Sequence, residues 1–157
     1  MKTLVTGATG FLGSALVREL LKDGRTVKVL SRAEADTRNI DGLDVEVAQG
    51  DLRNKKSLRG ALADCNVLYH AAAYYSFWDR DKRLIYDINV QGTRNILEAS
   101  LESGLGKVVY TSTVGCIGLT KDRTPANEDT PFDPSTLRND YKRSKYQAEN
   151  IAREFHG

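Results

Sequence analysis

The chain has 157 residues, of which 40% are hydrophobic and 28% charged, and its formal net charge is +2. That is the size of one domain with one core and the composition of an ordinary folded protein, which excludes a disordered tail. The charge is mild and its basic residues are scattered among acids, so it leaves no footprint for nucleic acid, and charged residues interrupt every apolar run before it reaches the length of a membrane span.

Short β-branched runs alternate with longer helical patterns from the first residues onward. KTLVT at the N-terminus is the first predicted strand, and MKTLVTGATG reads as strand and glycine turn, not as a secretion signal. The strand runs into Gly7-Ala8-Thr9-Gly10-Phe11-Leu12-Gly13, a GxxGxxG. FLGSALVRELLKDG then predicts a helix with Leu12, Leu16, Leu20 and Leu21 as its apolar residues and Gly24 as its stop. TVKVLS and VEVAQ are the second and third strands, and NKKSLRGALA is a short helix. VLYH is the fourth strand. LIYDINVQGTRNILEASLESG predicts one long helix with Ile88, Ile96, Leu97 and Leu101 on its apolar stripe. KVVYT is the fifth strand. The segment Thr120 to Arg138 holds all three prolines and is the one long irregular stretch. A polar helix, NDYKRSKYQAENIAREF, closes the chain with Tyr141, Ala148, Ile151 and Phe155 along one face. Five such strands alternating with helices imply right-handed βαβ units, hence an α/β fold of the Rossmann type: a doubly wound parallel sheet of about five strands, one domain over residues 1–157.

The glycine turn has the context that gives its spacing chemical meaning, since it follows a strand and opens a helix. Gly7 permits the tight turn, Gly10 lets backbone approach a pyrophosphate, and Gly13 lets the helix lie close on the sheet. Anionic phosphates are favoured by the N–H groups at that helix's N-terminus. A dinucleotide is therefore the expected ligand. The second strand ends VLSRAEAD, which places Ser31 and Arg32 where the adenosine 2′-position falls. A basic residue there suits a 2′-phosphate, so NADP is favoured, with NAD the alternative.

YKRSK puts Tyr141 and Lys145 four residues apart, on one helix face. A phenol is a poor acid or base at neutral pH, with an ordinary pKa near 10, and a nearby ammonium is expected to pull that value down. Ser112 and Thr113 follow the fifth strand at its carboxyl end, the edge where open α/β sheets bind ligands. A hydroxyl there can steady charge on a substrate oxygen. Cys65 and Cys116 have neither metal-ligand nor CxxC spacing, so no metal is expected and both read as reduced thiols of a cytoplasmic protein.

TGATGFLG, GDLRN (Gly50 to Asn54), HAAA (His70 to Ala73), NVQGTRNIL, YTST and YKRSK stand in the order found in the extended short-chain dehydrogenase/reductases, the NAD-dependent epimerase/dehydratase family. The chain is most similar to their branch of hopanoid-associated sugar epimerases and dihydroflavonol-reductase-like proteins. The resemblance implies that Gly7, Gly10 and Gly13 bind pyrophosphate, that Thr9, Phe11 and Leu12 of the same turn also bind the cofactor, and that Arg32 meets the 2′-phosphate with Ser31 beside it. It implies Asp51 and Leu52 against the adenine, and Ala71, Ala72 and Ala73 along the cofactor channel. It also implies Thr113, Tyr141 and Lys145 as the catalytic group, with Ser112, Tyr141 and Lys145 touching the cofactor. Asn89 corresponds to a structural asparagine, and His70 reads as packing. Tyr74, Tyr75, Phe77 and Trp78 are open between a substrate mouth and local packing.

The same resemblance implies an oxidoreductase or epimerase acting on a hydroxyl or carbonyl of a sugar- or flavonol-like small molecule. It implies homodimers through the helices holding Asn89 and Tyr141. A binding or sensor module without turnover is the alternative. The family continues into a sixth strand and a substrate-binding region that this sequence does not contain, so the chain reads as an N-terminal part, inactive alone.

Overall fold

The apolar runs become strands because helices cover the sheet on both faces. A computed structural model describes residues 1–76, 78–120 and 124–155. β1 (Lys2–Thr6), β2 (Thr26–Ser31), β3 (Glu46–Gln49), β4 (Val67–His70) and β5 (Lys107–Tyr110) form one parallel sheet in the order β3-β2-β1-β4-β5. This is the doubly wound order, with β1 at the centre beside the point where the strand order reverses.

Alternate residues of β1 serve opposite layers. Leu4 packs with Leu30, Leu68 and Ile96 on one face, where α2 (Lys55–Leu62), α4 (Gly92–Glu102) and α5 (Asp140–Glu154) lie. Val5 packs with Val27 and Val29 on the other, beneath Val17 and Leu20 of α1 (Phe11–Lys22). Leu4, Val5, Val17 and Leu68 are fully buried. Each such side chain contributes about 1.5–3 kcal/mol of burial. Asparagines start two of these helices: Asn54 accepts from Lys56 and Ser57, and Asn139 accepts from the Lys142 N–H at 2.8 Å.

Three expectations change. α1 buries Gly13, Ser14, Val17 and Leu20, whereas Leu12 is 53% exposed at the mouth of a cleft. The long predicted helix is built in three parts: α3 (Lys82–Tyr86), a π-helical turn (Asp87–Gln91) and α4, with Leu101 pointing outward. β3 is an edge strand with Val47 exposed, so that valine does not mark a strand buried on both faces. Among the described residues no helix is long and apolar enough to cross a membrane.

Candidate functional site

A cleft of about 280 Å³ opens at the carboxyl end of the sheet, over the turn between β1 and α1. Gly7 takes φ +72°, a left-handed value that a side chain strains to adopt, and an ideal Cβ there would come within 2.7 Å of the Ala72 nitrogen. At Gly13 a Cβ would meet the Gly7 carbonyl oxygen at 2.1 Å, so only glycine lets α1 sit against the turn. A Cβ at Gly10 meets only that same oxygen, at 3.3 Å, and Gly10 lines the cleft. Gly10 is also the N-cap of α1, and no side chain caps the helix. The first-turn N–H groups that an α-helix leaves unpaired therefore open on the cleft with the positive end of the helix dipole. A pyrophosphate fits this cradle of glycines and amides.

All thirteen residues expected at the turn, the adenosine end and the channel line this one cleft: Gly7, Thr9, Gly10, Phe11, Leu12, Gly13, Ser31, Arg32, Asp51, Leu52, Ala71, Ala72 and Ala73. Thr6, Leu30, Ala35, Gly50 and Ile88 join them and were not anticipated. Gly50 has a signal in retrospect, since it precedes Asp51 and its missing Cβ leaves room for Leu30 Cδ1 at 2.8 Å. Phe11 stands 93% exposed beside the turn.

At the adenosine end Ser31 is buried and donates to the Arg32 carbonyl at 3.2 Å, while the Arg32 side chain is exposed. The Asp51 carboxylate accepts from the Arg53 backbone N–H at 2.8 Å and from its guanidinium at 3.0 and 2.5 Å. Arg53, with Arg32 adding its charge, holds Asp51 below the usual carboxylate range. The expected role of Asp51 toward adenine is thus set beside a guanidinium that already takes up both its oxygens.

Tyr141 and Lys145 lie on the first turns of α5, and Thr113 and Ser112 leave β5 facing that helix. Thr113 Oγ1 accepts from the Gly115 N–H at 3.2 Å, which leaves its own proton available. Ser112 Oγ donates to the Glu149 carboxylate. Burial pushes Glu149 up, but bonds from Ser112, Arg153 and Cys116 outweigh it and hold the group lowered. Burial pushes the neighbouring Cys116 thiol up to about 11.

Lys145 differs from expectation. Its side chain is buried, and its ammonium donates to the Tyr110 hydroxyl at 2.8 Å and the Thr111 carbonyl at 2.7 Å, lying 4.4 Å from the Tyr110 ring centre. Burial pulls its pKa down to about 8. Tyr141 is correspondingly not lowered by a lysine. Burial raises it, with Tyr75 and Cys116 acting in the same direction, and the Tyr75 ring sits edge-on to it at 4.6 Å. The i, i+4 spacing gives a shared face, but the strand behind that face captures the ammonium. Ser112, Thr113, Tyr141 and Lys145 are not part of the cleft lining.

Of the aromatic group after β4, Tyr75 thus packs on Tyr141. Tyr74 donates to Asp81 at 3.2 Å, and Trp78 is 71% exposed. Phe77 lies outside the described residues.

Residues 3–157 match the pattern of the NAD dependent epimerase/dehydratase family. The chain is 43% identical over 153 residues to sterol demethylase protein B of Methylococcus capsulatus, covering 96% of this chain and 45% of that protein. It is 35% identical over 148 residues to 2-alkyl-3-oxoalkanoate reductase of Shewanella oneidensis, covering 94% and 37%. Its fold superposes on the UDP-glucose 4-epimerase of Thermus thermophilus in complex with NAD, with a TM-score of 0.85 at 31% identity, over 99% of this chain and 50% of that one. The chain spans half or less of the length of each of these proteins.

Proposed function

Since the chain belongs to the NAD-dependent epimerase/dehydratase family, we propose that residues 1–157 form the NAD(P)-binding Rossmann domain of an oxidoreductase or epimerase that prefers NADP. One observation carries the reading: the uncapped start of α1, the glycine turn and Arg32 line a single cleft. Gly7 to Gly13 would hold the pyrophosphate through backbone amides, Arg32 would meet the 2′-phosphate, and Asp51 and Leu52 would take the adenine. When bound, a nicotinamide dinucleotide supplies hydride transfer at a hydroxyl or carbonyl carbon of a sugar- or flavonol-like substrate.

The chain's own residues handle the proton and the charge. Thr113 donates a hydrogen bond to the substrate oxygen. Tyr141, raised by burial, keeps its proton at neutral pH and gives it to that oxygen as reduction builds negative charge there. Lys145, with its pKa near 8, remains largely an ammonium at pH 7 and would support the phenolate that results once it is released from Tyr110 and Thr111. In the reverse direction Tyr141 would act as the base only once it has lost its proton.

Calorimetric titration with NADPH and NADH tests the reading. NADPH is expected to bind at least about tenfold more tightly, as one charge-assisted phosphate contact allows. Arg32→Ala should bring the ratio close to one. Equal affinities in the unaltered chain refute the NADP preference, and no binding of either refutes the dinucleotide site. A binding module without turnover is the second reading, favoured by the capture of the Lys145 ammonium by Tyr110 and Thr111. Tyr141→Phe, made in a longer protein that carries a substrate-binding region, separates the two: turnover lost with dinucleotide affinity kept supports the enzyme, and a biological effect that persists unchanged supports the module.

A further inference from the structure

A line of buried polar side chains runs from the glycine turn to α5, and counting protons fixes the direction of its bonds. Thr6, His70, Thr93, Asn89 and Ser144 are each at most 2% exposed. Thr93 Oγ1 gives its one proton to the Asn89 carbonyl at 2.6 Å, so toward His70 Nε2, 3.0 Å away, it only accepts. His70 therefore carries its ring proton on Nε2, and Nδ1 accepts the hydroxyl proton of Thr6 at 2.7 Å. Thr6 Oγ1 in turn accepts the Ala72 N–H at 3.2 Å. On the far side the Asn89 carboxamide clamps Tyr74, accepting from its N–H at 2.6 Å and donating to its carbonyl at 2.9 Å. The same amide nitrogen donates to Ser144 Oγ at 2.9 Å, and Ser144 donates to the Tyr141 carbonyl at 2.7 Å.

Local structure makes the line fit. Asn89 lies in the π-helical turn, where the Gly92 N–H reaches back five residues to the Asp87 carbonyl. Such an insertion re-aims one residue of an otherwise regular helix. Burial, helped by the Lys145 charge, pushes the His70 pKa down to about 3, so the ring stays neutral with one donor and one acceptor.

We propose, resting on the dinucleotide reading above, that His70 is a positioning residue: it bridges Thr6, which leads into the phosphate-binding turn, to Thr93 and Asn89, and so sets the Tyr141 end of α5 against that turn. Its effect on chemistry runs through the backbone of Tyr141 and not through contact with substrate.

The probe is ADP, which carries the adenosine and pyrophosphate for the turn but no nicotinamide ribose to touch Tyr141 or Lys145. Amide NMR of the 157-residue chain is recorded through the titration. Signals from Gly7 to Gly13 are expected to shift, and those of Tyr141 and Ser144 to shift with the same Kd. Thr93→Val keeps the side chain's shape and removes the hydroxyl. It should bind ADP within about threefold of the unaltered chain, with the response at Tyr141 and Ser144 cut to less than about half. His70→Phe should behave alike, and His70→Gln, with one amide acceptor and one donor, should recover part of the response. An undiminished response in Thr93→Val overturns the proposal, and so does an unaltered chain whose shifts stop at the turn. Imidazole nitrogen NMR gives a check without any variant: a proton on Nδ1, or a charged ring at about pH 6, overturns it as well. If ADP does not bind at all, the dinucleotide reading falls and this one with it, whereas binding without transmission removes only the second.

Discussion

Gly13→Ala challenges the turn with the smallest side chain available. An ideal Cβ there lies 2.1 Å from the Gly7 oxygen, 2.5 Å from the Gly7 carbonyl carbon and 2.9 Å from Ala8 Cα. Reaching 3.0 Å from that oxygen requires 0.9 Å of movement, and every obstructing atom is backbone, so no rotamer change relieves the overlap. Overpacking costs about 1–3 kcal/mol, and a backbone overlap of this size belongs at the top of that range. Helix propensity returns about 1 kcal/mol for Gly to Ala. The net loss is therefore about 2 kcal/mol, read as a lower midpoint in urea at unchanged slope. Lifting α1 also displaces the amides of the turn, so dinucleotide affinity should fall about tenfold for each 1.4 kcal/mol of lost contact. Gly60→Ala is the control: it is helical and exposed, and its Cβ meets nothing within 4 Å. It should stabilise by about 0.5 kcal/mol. If Gly13→Ala matches the unaltered chain in both stability and binding, the close approach of α1 to the turn is wrong.

Acid should destabilise the chain through His70. Its folded pKa of about 3 lies below the usual 6.5, so the unfolded chain takes the proton first and stability falls as pH drops through that interval, by up to about 1.4 kcal/mol per unit. His70→Gln should flatten the unfolding free energy between about pH 6.5 and pH 5, where carboxylates remain ionised, and equal slopes refute this. For Lys145 the folded value of about 8 lies below 10.5, so its charge costs stability below pH 8 and the cost lifts as pH rises toward 10.5. NMR of its ε-methylene group should show a midpoint near pH 8, and one near 10.5 contradicts the burial argument. Leu58→Ala, at a fully buried position in the core under α2, should cost about 2–5 kcal/mol in the same denaturation assay, and a loss below about 1 kcal/mol would mean α2 is not packed as described.

What was legible in the sequence was local. Each strand is a run of apolar residues with its own turn, and the glycines of GATGFLG sit between a strand and a helix, so neighbours a few positions away determine their geometry. Thirteen cleft residues could be placed because they follow strand ends, and a parallel sheet brings those ends to one edge. What escaped depends on partners distant in sequence. Lys145 meets Tyr110 and Thr111 across a separation that no helical spacing encodes. Leu101 and Val47 carry apolar side chains but lie where no layer covers them. His70 reads as packing, and it is indeed buried at the end of β4. That both its nitrogens are bonded is visible only when β1 and α4 are set beside it.

The position of β1 at the centre of the sheet has a consequence for the order in which the molecule can be made. Its neighbours are β2, which starts at residue 26, and β4, where Thr6 pairs with His70 across 64 positions. The tight contact at Gly7 is with Ala72, further along still. A ribosome delivers the glycine turn before β4 and Ala72, at about 5–20 residues per second. The backbone that braces it arrives several seconds later at the same rate. Closing that loop costs chain entropy before any contact repays it. The turn is thus made well before it can be fixed, and it waits with Phe11 and Leu12 beside it.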